Sequence, residues 1–231
     1  MDRFYRTELL IGKEGIKKLN NAKVAIFGIG GVGSYVVEAL ARSGVGNIII
    51  VDKDVVDETN INRQIIATTA TIGLNKVDVA EKRILDINPN AIVEKYNLFF
   101  SPDSSHEMIK EDLDYIVDAV DNVSAKVELM KIANEKGIKI ISAMGAGNKL
   151  NPTKLEVADI YDTEICPLAK VMRKEARKLG IKKMKVVYSK ENPIEIPEEA
   201  KKDGICGSIA FVPSVAGLII ASEVIKDIIE L

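Results

Sequence analysis

The chain has 231 residues, 47% apolar and 29% charged, enough for one large domain around a sizeable core and too apolar for wholesale disorder. Its 32 Lys and Arg nearly balance 34 Asp and Glu, so a formal net charge of −2 supplies no overall basic field, and a nucleic-acid partner needs a local patch. Two cysteines, Cys166 and Cys206, form no CxxC pair, which excludes a zinc site built from thiols alone. With no apolar leader in the opening residues, a reducing cytoplasm is the expected compartment.

Residues 1–22 read as a helical arm. From Lys23 on, short β-branched runs at 24–27, 48–51, 91–93, 115–117 and 139–141 predict buried strands. Helical patterns at 32–42, 74–87, 105–110 and 124–135 lie between them, the last closed by Lys136 and Gly137. Strand and helix in alternation predict an α/β fold with a Rossmann-like, doubly wound, mostly parallel sheet and right-handed crossovers.

After Gly147 the character changes to a turn at 151–153 leading into a strand at 155–157, a basic helix over 167–179 and a strand at 184–188. Together these predict an antiparallel C-terminal extension. Residues 189–204, polar and interrupted by Pro193 and Pro197, read as a mobile loop. The uncharged run 204–222 contains Gly207, Pro213 and Gly217 and is followed by Glu223, Lys226 and Asp227. That pattern fits a buried closing helix over 213–229, with no stable membrane insertion. The reading is a single domain over 1–231, with the arm at 1–22, a nucleotide-binding half at 23–147 and the remaining elements at 148–231.

Gly28, Gly30, Gly31 and Gly33 follow the first strand directly and open a helix. Backbone amides at such a turn approach phosphate oxygens because no Cβ obstructs them, and the helix N-terminus adds partial positive charge. Asp52, at the end of the second strand, is placed to hydrogen-bond a ribose hydroxyl. These residues specify an adenine nucleotide without distinguishing NAD, FAD and ATP. The next polar positions are Asp54, Asn60, Arg63, Gln64 and Lys76, with Asp118, Asp121 and Asn122 later. Hydride transfer has no use for Arg63 and Lys76, whereas a triphosphate needs cations and a carboxylate such as Asp121 for Mg²⁺.

In this combination the sequence resembles the ThiF-like adenylyltransferases related to ubiquitin-activating enzymes, over nearly the whole chain. The resemblance implies ATP as the nucleotide, with Gly30 and Gly31 against it, Asp52 on the ribose, Asn60, Arg63 and Lys76 on the phosphates, and Mg²⁺ on Asp121 beside Asn122. The segment from Arg3 to Arg6 looks like a family motif whose second arginine reaches the partner's ATP site, which makes Arg6 a trans arginine and a homodimer the expected assembly.

Within the family, residues 63–65, 145–147, 151–153, 167–169 and 186–191 are most like the tRNA threonylcarbamoyladenosine dehydratases. That likeness implies that ATP activates a threonyl carboxylate on a tRNA nucleoside, so that the neighbouring carbamoyl group closes a ring with loss of water. It also makes a sulfur-relay protein a candidate partner. The paired CxxC zinc ligands of the molybdopterin and thiamine relatives are missing, which weighs against the alternative, an adenylyltransferase for the Gly-Gly tail of a sulfur carrier. A nicotinamide oxidoreductase or a non-catalytic nucleotide-binding module is disfavoured by Arg63, Lys76 and Asp121.

A tRNA partner needs its local patch, and residues 170–190 carry Lys170, Arg173, Lys174, Arg177, Lys178, Lys182, Lys183, Lys185 and Lys190 against Glu175 alone. The spacing of Arg173, Lys174, Arg177 and Lys178 predicts one cationic helix face, a phosphate-backbone surface continued by Lys182 and Lys183. Cys166 is expected to be buried, and Cys206 to serve packing or loop geometry. The single histidine, His106, gives no sign of acid–base catalysis. Asp54 and Asp118 read equally as ligand supports or caps, and Asn148 and Lys149 equally as turn formers or acceptor contacts.

Overall fold

A computed structural model describes residues 2–101, 109, 112–202 and 204–231, so the helix expected over 105–110 lies, Ile109 apart, outside the described residues, as does His106. The strands are β1 (Lys23–Phe27), β2 (Asn47–Val51), β3 (Ile92–Tyr96), β4 (Tyr115–Asp118), β5 (Lys139–Ala143), β6 (Leu155–Asp159) and β7 (Lys185–Ser189). They form one sheet in the order β3-β2-β1-β4-β5-β7-β6, parallel throughout except for β6 against β7. The extension expected to be antiparallel therefore contributes one antiparallel strand, because β7 returns parallel to β5.

The β-branched runs are buried because both faces of the sheet are covered. On β1, Val24 and Ile26 face one core, while Ala25 and Phe27 face the other. The first core is closed by α1 (Tyr5–Asn21), α2 (Gly33–Ser43), α3 (Lys76–Ile87) and α7 (Phe211–Ile229). The second is closed by α4 (Val123–Lys136), and a third cluster joins α4 to α5 (Pro167–Lys178) through Met130, Met144, Ala169 and Met172. Helix α1 is broken at Gly12, and a short helix, α6 (Glu198–Lys202), forms within the stretch expected to be loop.

The uncharged run of the sequence becomes α7, which packs along α2 and buries Val212, Ala216, Ile220 and Val224. No helix among the described residues is long and apolar enough to cross a membrane. A polar lock at the amino edge of the sheet ties the end of α7 down. The Asp227 carboxylate accepts from the Tyr115 hydroxyl at 2.7 Å and from Lys185 Nζ at 2.7 and 2.8 Å, and Lys185 also reaches Glu223 at 3.1 Å. Burial alone would raise the Asp227 pKa, but the hydrogen bonds from Lys185 and Tyr115 outweigh it and hold the carboxyl below its ordinary value.

A carboxyl held low stabilises the fold fully above its unfolded pKa of about 4, and that contribution is lost as pH falls through the lower folded value. Asp227→Asn is expected to cost about 1.5–3 kcal/mol at pH 7. Denaturant unfolding from pH 7 to pH 3 checks this, with the gap to the parent chain narrowing below about pH 4.

Candidate nucleotide site

At the carboxyl edge, between β1 and β4, the order of strand connections reverses, and such a switch point opens a crevice. A cavity of about 390 Å³ lies there, lined by the glycine turn, Asp52, Asp54, Asn60, Arg63, Gln64, Lys76, Asp121 and Asn122. Gly28, Gly30 and Gly31 are part of the lining, while Gly33 begins α2. A Cβ on Gly33 would stand 1.8 Å from the Gly28 carbonyl oxygen, so only glycine permits the turn to pass this close to the helix. Helix α2 has no side-chain cap at its N-terminus, which leaves its positive end at the cavity.

Asp52 is turned into the turn itself. Its Oδ2 accepts from the Ile29 N–H at 2.6 Å and its Oδ1 from the Asp54 N–H at 2.9 Å. Lys76 is buried, with Nζ 3.1 Å from Asp54 and 4.0 Å from Asp52. Asp54 thus anchors the lysine while its half-exposed side chain remains part of the cavity lining. Asn60 caps a short 3-10 turn through its Oδ1, which accepts from the Asp57 N–H at 3.2 Å. Gln64 is 5% exposed and its Oε1 finds no hydrogen-bond partner among the described residues, so the cavity presents a buried acceptor awaiting a donor.

Arg63 forms no ion pair among the described residues. Its Nη1 donates to Thr59 O and to Asn62 Oδ1, each at 2.9 Å, neutral partners that a phosphate would displace. Asp121 is exposed and pairs with no cation among the described residues, whereas Asn122 caps α4 by accepting from the Ala125 N–H at 3.0 Å. No group of three potential metal ligands occurs among the described residues. A single free carboxylate beside a phosphate site does suit Mg²⁺, which takes one or two carboxylates and completes its shell with phosphate oxygens and water.

Sequence reasoning missed Lys126, on α4. Lys126 and Asp118 are each 1% exposed and form an ion pair at 3.0 Å. Lys126 Nζ also donates to Ala143 O at 2.7 Å, and the Ser142 hydroxyl bonds Asp118. Asp118 is therefore a structural carboxylate whose charge is spent. Its partner lies eight residues on, across a loop and a helix turn, where no local pattern announces it. Also unread in the sequence were Leu98, Phe99 and Phe100, which give the cavity an apolar wall with Lys53 over the Phe99 ring at 5.7 Å.

Arg6 stands exposed on α1 and is absent from the cavity lining of its own chain. On the basic helix Arg173 and Arg177 rest on neutral partners, and Lys178 is paired with an acid. Arg173 Nη1 donates to Thr163 O at 2.6 Å, Arg177 lies 5.4 Å from the Tyr161 ring centre, and Lys178 pairs with Glu175 at 2.7 Å. Lys170, Lys174, Lys182 and Lys183 are exposed and make no ion pair among the described residues. Cys166 is buried as expected. Cys206 is exposed and lines the cavity, so it is not a core residue.

The sequence profile of the ThiF family matches residues 4–231. The tRNA threonylcarbamoyladenosine dehydratase of Bacillus subtilis is 45% identical over 243 aligned positions, which span 100% of this chain and 96% of that protein. Crystal structures of the tRNA N6-threonylcarbamoyladenosine dehydratase of Escherichia coli superpose with TM-scores of 0.91 for an AMP complex and 0.89 for an ATP complex. Both share 31% identity with this chain and cover 99% of it and 94% of the crystallised chain.

Lys126→Met leaves the Asp118 charge buried and unpaired, and is expected to lower stability by about 3–5 kcal/mol. Adding Asp118→Asn removes that charge and should recover part of the loss. Chemical denaturation of the two single variants and the double variant measures the coupling.

Proposed function

This chain belongs to the ThiF family, and we infer that it is an ATP-dependent enzyme that dehydrates N6-threonylcarbamoyladenosine in tRNA to its cyclic form. The observation that carries the reading is end-to-end identity of 45% with a dehydratase, in a chain whose glycine turn, Arg63, Lys76 and free Asp121 converge on one cavity.

A carboxylate becomes an electrophile only when one of its oxygens is made part of a phosphate leaving group. In this reading the threonyl carboxylate oxygen attacks phosphorus of ATP, and the departing phosphate takes the electrons of the broken P–O bond. Arg63 and Lys76 offset the charge that develops there, from positions already fixed by Thr59, Asn62 and Asp54. The carbamoyl group then attacks the activated carbonyl carbon and loses a proton, and the phosphate-bound oxygen leaves with its electron pair. The net change is loss of water from the nucleoside, and because the closure is intramolecular no protein nucleophile is required. Mg²⁺ would be held by Asp121 together with phosphate oxygens and would supply further charge neutralisation.

The reading extends to a homodimer in which Arg6 of one chain completes the phosphate site of the other. Its support is that Arg6 is exposed and unused by its own cavity. A sulfur-relay protein is proposed as a further, transient partner from the resemblance alone. The tRNA backbone is proposed to lie along Lys170, Lys174, Lys182 and Lys183, with Arg173, Arg177 and Lys178 shaping the helix surface. The cytoplasm is proposed as the compartment, on the reading of tRNA as substrate.

Incubation of the protein with ATP, Mg²⁺ and tRNA bearing the nucleoside, then digestion and mass spectrometry, is expected to show loss of one water. Arg63→Ala should reduce that rate about 10²–10³-fold, as removal of one charge-stabilising donor does elsewhere. An unchanged nucleoside, with pyrophosphate exchange stimulated by a Gly-Gly-tailed carrier protein, would favour the sulfur-carrier alternative. Replacing Lys170, Lys174, Lys182 and Lys183 together by Ala should raise the KM for tRNA and reduce its salt dependence by a slope of about 3–4, the number of phosphate contacts removed.

A further inference from the structure

The cavity has three walls whose roles follow from their chemistry: the glycine turn with Arg63 and Lys76, the apolar Leu98–Phe100 side, and the Asp121 edge. The fourth is formed by Ala146 and Gly147 together with Cys206, Gly207 and Ser208. It carries no charge, and it adjoins Asn62 and Arg63 at the phosphate end. A carboxylate that must meet the phosphate end of the nucleotide has this wall beside it.

What holds the wall in place is Asn148. Its backbone N–H donates to Gly207 O at 2.7 Å, its carbonyl accepts from the Ile194 N–H at 2.8 Å, and its Oδ1 accepts from the Gly207 N–H at 2.6 Å. One residue thus binds both arms of the 194–207 excursion. It does so with a φ of +57°, a left-handed conformation that asparagine tolerates better than other residues with a side chain. The contact is close enough that a Cβ on Gly147 would stand 3.0 Å from that of Cys206. At the far end of the wall, Asn62 Nδ2 donates to Ser208 O at 3.0 Å while Asn62 Oδ1 receives Arg63, so the wall is tethered to the phosphate-binding arginine as well.

We propose that Asn148 is a positioning residue for the acceptor nucleoside: it latches residues 206–208 against the 146–147 turn and so sets the face against which the threonylcarbamoyl group is aligned with ATP. The proposal rests on the reading of the acceptor as that nucleoside. Its test therefore includes a measurement that does not depend on turnover. Cys206 supplies it, being exposed and part of the wall while Cys166 is buried.

Asn148→Gly keeps the left-handed backbone and removes Oδ1, whereas Asn148→Asp keeps an acceptor oxygen at the same place. In Asn148→Gly the KM for tRNA should rise about 5-fold or more, a coupling of ordinary size. The KM for ATP and the melting temperature should stay those of the parent chain, and Asn148→Asp should restore much of the tRNA effect. ATP should slow alkylation of Cys206 by iodoacetamide in the parent chain, and this protection should be lost in Asn148→Gly. Parent-like KM for tRNA together with intact ATP protection in Asn148→Gly would overturn the proposal, as would an equal rise in both KM values accompanied by a lower melting temperature. If the parent chain leaves the nucleoside unchanged, the functional reading fails, and the alkylation rates alone decide whether the latch exists.

Discussion

The site depends on a buried ion pair that never touches the cavity. Asp118 ends β4, Ser142 and Ala143 end β5, and Lys126 of α4 binds all three. The pair reinforces the ends of two neighbouring strands, whose ladder already sets Asp118 opposite Ser142, and the segments that follow inherit their position: Asp121 and Asn122 after β4, and the 145–147 turn after β5. Removing two charges from water costs several kcal/mol for each ion, so such a pair is retained only where its geometry is satisfied on every side. Lys126 meets that demand, since each proton of its ammonium finds an oxygen.

Charge is sorted in the same way across the rest of the molecule. The carboxylates at the carboxyl edge are mostly spent: Asp118 on Lys126, Asp52 on two backbone amides, Asp54 on Lys76. Asp121 is the exposed exception. On the cationic side, Arg63 is held by neutral oxygens alone, so it turns to a phosphate without breaking an ion pair. The uncapped start of α2 adds unpaired N–H groups at the same place. An anionic ligand is thus met by partners whose rearrangement costs little, and such an arrangement favours charge developing in a transition state.

The sequence made the core legible because β1, β2, β4 and β5 are buried on both faces, and burial on both faces writes itself as unbroken β-branched runs. The helix end at Gly137 was equally readable, since it needs a left-handed residue. The glycine turn, Arg63 and Lys76 were legible because all three fall in the segments that follow β1 and β2 at the carboxyl edge, which motif spacing reports. Lys126 was illegible because its partners come from two strands and a residue eight positions back. The partners of α5 were illegible for a related reason: spacing along a helix says which cations are neighbours, and nothing about Thr163 and Tyr161, which orient Arg173 and Arg177 from outside the helix. The antiparallel pair expected after Gly147 is β6 against β7; because β6 itself runs back to the amino edge, where Asp159 lies opposite Lys185, β7 starts from that edge and runs parallel to β5.

The central claim is that ATP activates the threonyl carboxylate itself, so the fate of that carboxylate's oxygen is decisive. With tRNA whose threonyl carboxylate carries ¹⁸O, single turnover followed by mass spectrometry of AMP and inorganic phosphate should find one label in whichever of them contains the phosphorus that the carboxylate attacked. Label released into water, with none in any phosphate product while the nucleoside still loses water, would contradict the account.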